Sequence, residues 1–308
     1  MKILTIGAAG FLGSFVLKEL TATGCELAGA DFKDKPAELP ATIAYRHVDV
    51  TDFENVREVV AWAKPDTVIN LAGLLTNICA SNPFQATRVN VMGAANVLEA
   101  SRLNGVKRVV FASSAGVCSP DRIDTRETRP VSPQVSMYGA TKFYDEVLCR
   151  QYEQNFGMET ASLRYSLIYG PGDVSTPGNA QRLKNIESCV LGKDVVIDDA
   201  SAEDRVHLLH VADAGRATAM AATSAAPVSG AYNISGPLGD FLSFGEIVDI
   251  LRAAFPEAGQ VMFGKGAAPQ EFGLYSHRKA REAFGYVPHI NARVGLVENG
   301  KNRLQKAG

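Results

Sequence analysis

Tyr138 and Lys142 stand four residues apart, a spacing that places two side chains on one face of a helix. A phenol with its ordinary pKa near ~10 is a poor base at neutral pH, whereas a neighbouring ammonium stabilises the phenolate and lowers that pKa. Such a pair can exchange a proton with a substrate oxygen during hydride transfer. Alone, the two residues are more often a surface tyrosine and lysine, so the interpretation depends on whether the chain binds a hydride carrier.

A glycine-rich turn follows the first apolar run of the chain and has the sequence Gly7-Ala8-Ala9-Gly10-Phe11-Leu12-Gly13. Glycine permits a sharp turn, a close approach of the backbone to a pyrophosphate and tight packing of the next helix on the strand. The free N–H groups at the start of that helix then face the phosphates. The glycines alone are also compatible with an ordinary tight turn.

Asp31 ends the second apolar run, 18 residues after Gly13. A carboxylate at this place accepts hydrogen bonds from an adenosine ribose and repels a 2′-phosphate. Lys33 and Lys35 lie nearby in the sequence and weaken that preference. The turn and the carboxylate together predict a dinucleotide site for NAD rather than NADP, and behind such a site the tyrosine–lysine pair is predicted to be catalytic.

The elements that would position these residues alternate along the first half of the chain. Strands are predicted at Lys2–Ile6, Glu26–Asp31, Ile43–Val48, Thr67–Leu71, Lys107–Ser113 and Thr160–Arg164, and helices at Phe11–Thr21, Asp52–Ala63, Phe84–Asn104 and Met137–Phe156. Because continuous apolar strands separated by helices indicate a parallel sheet buried on both faces, we predict the α/β class, with a doubly wound parallel sheet (Rossmann fold).

The alternation weakens from about Ser166. Loops are predicted at 170–172 and 177–179 and helices at Phe244–Ala254 and His277–Phe284, while the strand-like piece His207–Val211 is expected to return to the sheet. The predicted organisation is an NAD-binding domain over 1–165 with a returning segment near 207–235, and a smaller substrate-binding lobe over 166–206 and 236–308. A cleft is expected between the two parts.

Composition and charge exclude several classes of protein. The 308 residues include 31 basic and 33 acidic side chains, a net charge of −2, and no basic run, which argues against a nucleic-acid binder. No stretch reaches the ~18 consecutive apolar residues of a membrane helix, and the apolar start meets the glycine turn without a cleavage region. We expect a cytoplasmic protein with a small-molecule substrate and neither a nucleic-acid nor a membrane partner.

No metal site is expected either. The cysteines lie far apart without a CxxC pair, which is typical of neither a zinc site nor a disulfide framework; they are Cys25, Cys79, Cys118, Cys149 and Cys189. His207 and His210 fall on opposite faces of the predicted strand, so a structural role is favoured for each.

The spacing Gly-x-x-Gly-x-x-Gly resembles that of the short-chain dehydrogenase/reductase superfamily, and with the chain length it is similar to the extended branch, the NAD-dependent epimerase/dehydratase family. Later blocks of the chain resemble the same family; they are 49–50, 71–74, 90–100, 164–165, 169–172, 210–213 and 232–236. The resemblance implies that the cofactor is NAD, contacted by Gly7, Ala9, Gly10, Phe11, Leu12, Gly13, Asp31, Asp49, Val50, Leu71, Ala72, Gly73, Asn90, Tyr138, Lys142 and Tyr165.

Two of these roles rest on the resemblance alone. Asn90 is expected to support Lys142 through a proton-relay water, although a structural asparagine is the alternative. Tyr165 is expected to pack near the nicotinamide.

The resemblance also supplies a third catalytic residue. The segment Ser113-Ser114-Ala115-Gly116-Val117 follows a predicted strand and resembles the family's Ser-Ser-Ala-Thr-Val turn. Ser114 aligns with the serine that hydrogen-bonds the reacting hydroxyl, and Ser113 is one step away; without the resemblance, both would more often be turn formers. The predicted catalytic triad is Ser114, Tyr138 and Lys142.

Departures from the family pattern narrow the reaction. Ala115 and Gly116 stand where 4,6-dehydratases carry Asp-Glu, and Ala115 also stands where enzymes of the fucose-synthase kind carry cysteine. Leu167 replaces an asparagine that contacts nucleotide phosphates in sugar-nucleotide epimerases, and Arg205 falls one residue from the usual arginine. We therefore expect an oxidoreductase acting on a secondary hydroxyl or carbonyl of a small sugar-derived or hydroxy-acid substrate.

Residues expected near that substrate are Leu75, Thr76, Ser114, Ala115, Ser166, Asn179, Arg182 and Arg205. Arg182, Lys184 and Arg205 are the cations available for an anionic group, unless they are solvated surface charges. Two alternatives stay open: a nucleotide-sugar 4-epimerase with tightly bound NAD, and a non-catalytic NAD-sensing protein. The resemblance further implies a homodimer through a four-helix bundle of Phe84–Asn104 and Met137–Phe156.

Overall fold

The structure is a computed structural model and describes residues 1–118, 127, 135–172, 178–264 and 271–307. Its strands are β1 (Lys2–Ile6), β2 (Glu26–Asp31), β3 (Ala44–His47), β4 (Thr67–Asn70), β5 (Arg108–Ser114), β6 (Glu159–Tyr165), β7 (Leu167–Tyr169), β8 (Val195–Ile197), β9 (Arg205–His210), β10 (Gly230–Ile234), β11 (Phe241–Ser243), β12 (Val261–Phe263) and β13 (Glu271–Phe272). Its α-helices are α1 (Phe11–Thr21), α2 (Phe53–Ala63), α3 (Thr76–Ser81), α4 (Pro83–Ala86), α5 (Gly93–Leu103), α6 (Met137–Phe156), α7 (Asn179–Glu187), α8 (Val211–Thr223), α9 (Phe244–Ala254), α10 (Arg278–Phe284) and α11 (Ala292–Ala307).

Seven parallel strands form the large sheet in the order β3-β2-β1-β4-β5-β6-β10. The strand order reverses between β1 and β4, so the loops that follow these two strands diverge and leave a crevice at the carboxyl edge of the sheet. This arrangement confirms the predicted doubly wound parallel sheet.

Both faces of the large sheet are buried, which explains why its strands are continuously apolar. Leu4 packs into a core on the side of α2, α5 and α6 that includes Val97. Ile3, one residue earlier, points to the opposite core with Leu20 of α1 and Ala217 of α8. Successive strand residues therefore stabilise two layers of helices.

The second part of the chain has its own sheet and core. Strands β11, β9 and β13 are neighbours in that order, β7 also pairs with β9, and β8 pairs separately with β12. Helices α7, α9 and α11 enclose a core that includes Ile186, Phe244, Leu251 and Leu296. Among the helices of the described residues, none is long and apolar enough to cross a membrane.

The predicted return of His207–Val211 to the large sheet is wrong. This segment forms β9 and the first residue of α8, and β9 pairs with β7 and β11 in the smaller sheet. The segment that does return is α8 followed by β10, which pairs with β6. A short apolar run carries no information about which sheet it joins, so periodicity alone could not decide. The assignment of the lobe to substrate binding stays a prediction.

The predicted helix Phe84–Asn104 is interrupted. Asn82 caps a short α4 by accepting a hydrogen bond from the Gln85 amide at 3.0 Å, and a π-helical turn over Thr87–Met92 then precedes α5. The π-helical turn carries the buried Asn90. Such an insertion is common near functional sites and leaves no mark in the hydrophobic periodicity.

Candidate active site

The glycine turn connects β1 to α1, as predicted. Gly10 precedes the helix, and the backbone of Gly13 packs directly on the turn, since a Cβ at Gly13 would lie 2.2 Å from the Gly7 carbonyl oxygen. A side chain at Gly13 would therefore push the helix off the turn. The helix start, whose N–H groups have no intrahelical partners, stays next to the crevice.

A cavity of about 530 Å³ lies beside this turn. Its predicted lining residues come from four loops and are Gly7, Gly10, Asp31, Asp49, Val50, Leu71, Ala72 and Gly73. Lys33 and Leu74, noted in the sequence beside these residues, also line it, and sequence reasoning missed Ile6, Phe32, Val48, Thr51, Gln85, Arg88 and Val89. Most of these adjoin a predicted residue in the sequence, whereas Gln85, Arg88 and Val89 come from the α4–π-helical segment and belong to no motif.

Asp31 is held in place by backbone donors. One carboxylate oxygen accepts a hydrogen bond from the Ala9 amide at 2.9 Å, and the other accepts from the Lys33 amide at 3.0 Å. The carboxylate therefore links the end of β2 to the glycine turn and borders the cavity. Lys35 is turned away, because its ammonium donates to the carbonyls of Pro40 and Ile43 at 2.9 and 2.7 Å. Of the two nearby lysines, Lys33 lines the cavity.

Ser114 and Tyr138 meet where β5 ends and α6 begins. Ser136 caps α6 by accepting from the Gly139 amide at 3.1 Å. A Cβ at Gly139 would lie 2.2 Å from the Gly116 carbonyl oxygen, so only glycine lets the helix start pack this closely on the serine turn. The Ser114 hydroxyl is close enough to Tyr138 to lower the pKa of that phenol by hydrogen bonding.

Ser113 has a different role from its neighbour. Its hydroxyl donates to the Glu146 carboxylate, which also accepts from Nε and Nη2 of Arg164 at 2.8 and 2.6 Å. All three side chains are buried. Ser113 is thus part of a structural network, which supports Ser114 as the residue available for substrate.

The electrostatics of Tyr138 differ from the sequence-based expectation. Burial raises the pKa of Tyr138 to about 12, and hydrogen bonding from Ser114 opposes that effect. In the protein by itself burial has the largest effect on this pKa, and the expected lowering by Lys142 together with the oxidised nicotinamide stays a prediction. The Lys142 ammonium lies 6.0 Å from the centre of the Tyr138 ring and 4.6 Å from that of Phe111. Burial lowers the pKa of Lys142, against an opposing effect of Asp145.

Asn90 uses its amide within the protein. Its carbonyl oxygen accepts from the Leu74 amide at 2.7 Å, and its NH₂ group donates to the Leu74 carbonyl and the Thr141 hydroxyl, both at 3.1 Å. The side chain therefore ties the loop after β4 to α6, one residue from Lys142. These contacts favour the structural alternative over the predicted cofactor contact.

Tyr165 does not line this cavity, and neither do Tyr138 and Lys142, so its expected place near the nicotinamide stays a prediction. Its hydroxyl is hydrogen-bonded to the Thr218 hydroxyl of α8 at 2.7 Å, and burial raises its pKa. The ring belongs to the core between the sheet and α8. In the register of β5 and β6, Tyr165 pairs with Ser114, so the two side chains leave the sheet on the same face.

The predicted substrate residues separate into two groups. One group belongs to the segments that follow strands of the large sheet. It comprises Leu75 and Thr76 at the start of α3, Ala115 after β5, and Ser166 after β6, whose buried hydroxyl has no hydrogen-bond partner among the described residues.

The lobe arginines, in contrast, are engaged in ion pairs. Arg182 binds Asp199 at 3.0 Å and Asn179 at 2.7 Å, and Arg205 binds Glu246 at 2.9 Å. These contacts neutralise two of the three cations predicted for an anionic group; the third, Lys184, lies on α7.

The two histidines of β9, His207 and His210, make structural contacts. His207 lies between the Pro237 carbonyl at 3.0 Å and the Tyr275 amide at 3.1 Å, and burial lowers its pKa to about 4. His210 caps α8 by accepting from the Ala212 amide. Within the described ranges, no three His, Cys, Asp or Glu side chains lie together in a way that could hold a metal ion.

Asp145 was missed by sequence reasoning. It lies on α6 one turn beyond Lys142 and is completely buried. Burial raises its pKa to about 7, and the Lys142 ammonium opposes that effect. The sequence does place Asp145 on the same helix face as the predicted catalytic lysine. It does not show that none of the described residues donates a hydrogen bond to the Asp145 carboxylate.

Comparison with known proteins gives a consistent result. Residues 3–235 match the model of the NAD dependent epimerase/dehydratase family. A putative UDP-glucose 4-epimerase of Methanocaldococcus jannaschii is 25% identical over 96% of this chain and 95% of its own length. A UDP-glucose 4-epimerase of Mycolicibacterium smegmatis is 32% identical over 56% of this chain and 57% of its own length.

Among solved structures, the Thermus thermophilus UDP-glucose 4-epimerase in complex with NAD has a TM-score of 0.85 and 27% identity, with 98% of both chains covered. The Thermotoga maritima UDP-glucose 4-epimerase has a TM-score of 0.88 at 22% identity and shows the fold alone. These matches confirm the predicted resemblance, the Rossmann fold and NAD as the cofactor.

Proposed function

We propose that this chain, which belongs to the NAD-dependent epimerase/dehydratase family, moves a hydride between NAD and a secondary hydroxyl or carbonyl carbon of a small sugar-derived or hydroxy-acid substrate. The observation that carries the proposal is the meeting of Ser114 and Tyr138 at the carboxyl end of β5, with Lys142 one helical turn further along α6. The residues of the crevice fit the cofactor, because a cavity of about 530 Å³ adjoins both the helix start at Gly10 and the fixed Asp31 carboxylate.

Each part of that crevice would hold a different part of the dinucleotide. The turn from Gly7 to Gly13 would hold the pyrophosphate with backbone N–H groups, and Asp31 would accept hydrogen bonds from the adenosine ribose. Asp49 and Val50 would contact the adenine. When bound, NAD supplies the group that accepts or gives up the hydride.

The protein's own residues would handle the proton. Ser114 Oγ orients the substrate oxygen, and the phenol oxygen of Tyr138 takes or gives the proton. Because the pKa of Tyr138 is raised to about 12 in the protein by itself, Tyr138 holds its proton at neutral pH until positive charge is added nearby. The Lys142 ammonium is already in place at 6.0 Å from the ring centre, so the added charge would have to come with the bound cofactor.

The lobe supports a small substrate rather than a nucleotide diphosphate. Leu167 offers no hydrogen-bond donor in its side chain, and Arg205 falls one residue from the usual arginine position. Arg205 and Arg182 are neutralised by Glu246 and Asp199. A ligand with two phosphates would have to compete with these ion pairs for its cations.

A nucleotide-sugar 4-epimerase that retains NAD is the second candidate. The Methanocaldococcus jannaschii relative supports this candidate, because it is named a putative UDP-glucose 4-epimerase and the match covers 95% of that protein's length. In this case the hydride would return to the opposite face of the same carbon, and added NAD would not be consumed.

A substrate panel distinguishes the candidates. Sugars, uronates, hydroxy acids and nucleotide sugars are each incubated with NAD, and NADH absorbance and product identity are recorded. The main proposal requires NADH formation with a non-nucleotide substrate; product formation from a nucleotide sugar without net NADH identifies the epimerase. NAD binding without turnover of any compound would instead favour an NAD-sensing protein.

We also propose a homodimer through α5 and α6 with their flanking turns. Large apolar side chains are exposed on these segments: Phe84 (73%), Met92 (52%), Leu103 (52%), Tyr144 (51%) and Phe156 (54%). Exposed apolar groups concentrated on two neighbouring helical segments are typical of an interface. Light scattering of the purified protein tests this, and a monomer mass at micromolar concentration would contradict it.

A further inference from the structure

Asp145 is a buried carboxylate to which none of the described residues donates a hydrogen bond. Its side chain is completely buried on α6, and neither oxygen has a hydrogen-bond partner among the described residues. Its neighbour Glu146 is buried too but receives hydrogen bonds from Ser113 and Arg164. Because burying a polar group without a partner is unfavourable, Asp145 calls for an explanation that Glu146 does not.

The groups around Asp145 identify its electrostatic partner. On α6 it faces Lys142 one turn before, Glu146 beside it and Cys149 one turn after, and Tyr138 lies two turns away. From β6, Arg164 is paired with Glu146 at 2.6 Å, and from α3 the Cys79 thiol interacts with Lys142. Among the described residues, the cation that acts on Asp145 is therefore Lys142.

The surroundings of Lys142 make it dependent on an anion. The ammonium is buried, with the Phe111 ring centre at 4.6 Å, and an ammonium in such a place tends to lose its proton. Of the nearby charges that oppose this loss, Asp145 has the largest effect. No direct ion pair joins the two side chains among the described residues, so the ammonium's N–H donors are not used by the carboxylate.

We propose that Asp145 is the counter-ion of Lys142, a positioning residue that keeps the ammonium protonated from one helical turn away while leaving its N–H groups available. One part of this inference rests on the proposed function: the claim that Lys142 must be charged beside Tyr138 for proton transfer. Its electrostatic part concerns this chain's own residues and can be tested separately.

The proposal specifies a pH range. Burial raises the pKa of Asp145 to about 7, so the carboxylate is ionised above about pH 7 and neutral below it. Removing a negative charge lowers the pKa of neighbouring groups. In Asp145→Asn, the alkaline limb of the kcat/KM profile, where Lys142 loses its proton, should move down by about one pH unit or more. Activity below about pH 7 should stay near that of wild type.

Matched variants separate this effect from a packing defect. Glu153→Gln removes one charge from the same helix away from the site and should leave the limb unchanged. Asp145→Glu keeps the charge and should restore the wild-type limb, and Asp145→Ser is the neutral variant to use if the asparagine variant does not fold. If Asp145→Asn lost activity by the same factor at every pH, with no shift of the alkaline limb of the kcat/KM profile, the proposal would be overturned.

A spectroscopic readout does not depend on turnover. The ionisation of Lys142 is followed by the NMR shift of the methylene group next to its ammonium, identified by its absence in Lys142→Met, and again in the Asp145→Asn background. Because Asp145 opposes the loss of the Lys142 proton, that proton should leave at a lower pH in the variant, and identical titrations would overturn the proposal. If Tyr138→Phe retained full turnover, the proposed function would fail while this titration still decided the role of Asp145.

Discussion

The lobe and the carboxyl edge of the large sheet differ in how their charged side chains are paired. In the lobe, Arg182, Arg205 and Arg303 each contact a carboxylate within 3.0 Å. At the sheet edge, beside the buried ion pair of Arg164 and Glu146, Lys142 and Asp145 are both buried without a direct ion pair among the described residues. A paired charge stabilises the fold or costs little, whereas an unpaired one is available to respond to a ligand. Substitutions in the two regions should therefore change different quantities.

The largest effect is expected for Tyr138→Phe. Loss of the phenol oxygen removes the group that transfers the proton, so kcat should fall by about 10²- to 10⁴-fold while folding is retained. Turnover is measured as NADH absorbance with the substrate found in the panel. The exposed Tyr144, on the same helix, provides the control Tyr144→Phe, which should retain wild-type kcat. Equal activity in the two variants would contradict the catalytic assignment.

Two arginine substitutions compare a buried ion pair with an exposed one. Arg164→Met leaves Glu146 buried and unpaired and should lower the free energy of unfolding by about 3–5 kcal/mol. Arg205→Met leaves a carboxylate whose side chain is 47% exposed and should cost less than about 1 kcal/mol. Urea unfolding measures both. Similar losses would mean that the burial of the first pair does not govern its effect.

Acid should destabilise the lobe through His207. Its pKa is lowered from 6.5 to about 4 by burial, so the unfolded chain binds the proton more readily between these values. The associated stability is complete above about pH 6.5 and is lost as the pH falls towards 4, a change of roughly 3 kcal/mol. His207→Gln should flatten this part of the pH–stability curve. His47→Gln, at an exposed position, is the control and should leave the slope unchanged.

Among substitutions of the proposed site, the smallest effect is expected at the cofactor end. Asp31→Asn removes a charge that repels a 2′-phosphate and weakens hydrogen bonding to the ribose, so the preference for NAD over NADP should fall by roughly ten- to a hundredfold. The ratio of the two dissociation constants measures it. Asp34→Asn, at an exposed position three residues later, should leave the ratio unaltered. Tighter binding of NADP than NAD by the wild-type protein would refute the role of Asp31.

The part of the site that was predictable from the sequence is the part governed by local rules. The turn from Gly7 to Gly13 follows from the conformational needs of a strand–helix junction, and the face shared by Tyr138 and Lys142 follows from helix geometry. The contacts of residues whose partners are distant in the sequence were not predictable. Arg205 is neutralised by Glu246, 41 residues away, and Tyr165 is directed to Thr218, 53 residues away.

The close contact between Gly139 and the Gly116 carbonyl has an evolutionary consequence. It sets the separation of Ser114 and Tyr138 through main-chain atoms, which do not change when neighbouring side chains are substituted. Loops and lobe residues can therefore diverge to admit new substrates while the proton-transfer groups keep their spacing. With a junction of this kind, substrate specificity can change during evolution while the geometry of the catalytic step is kept.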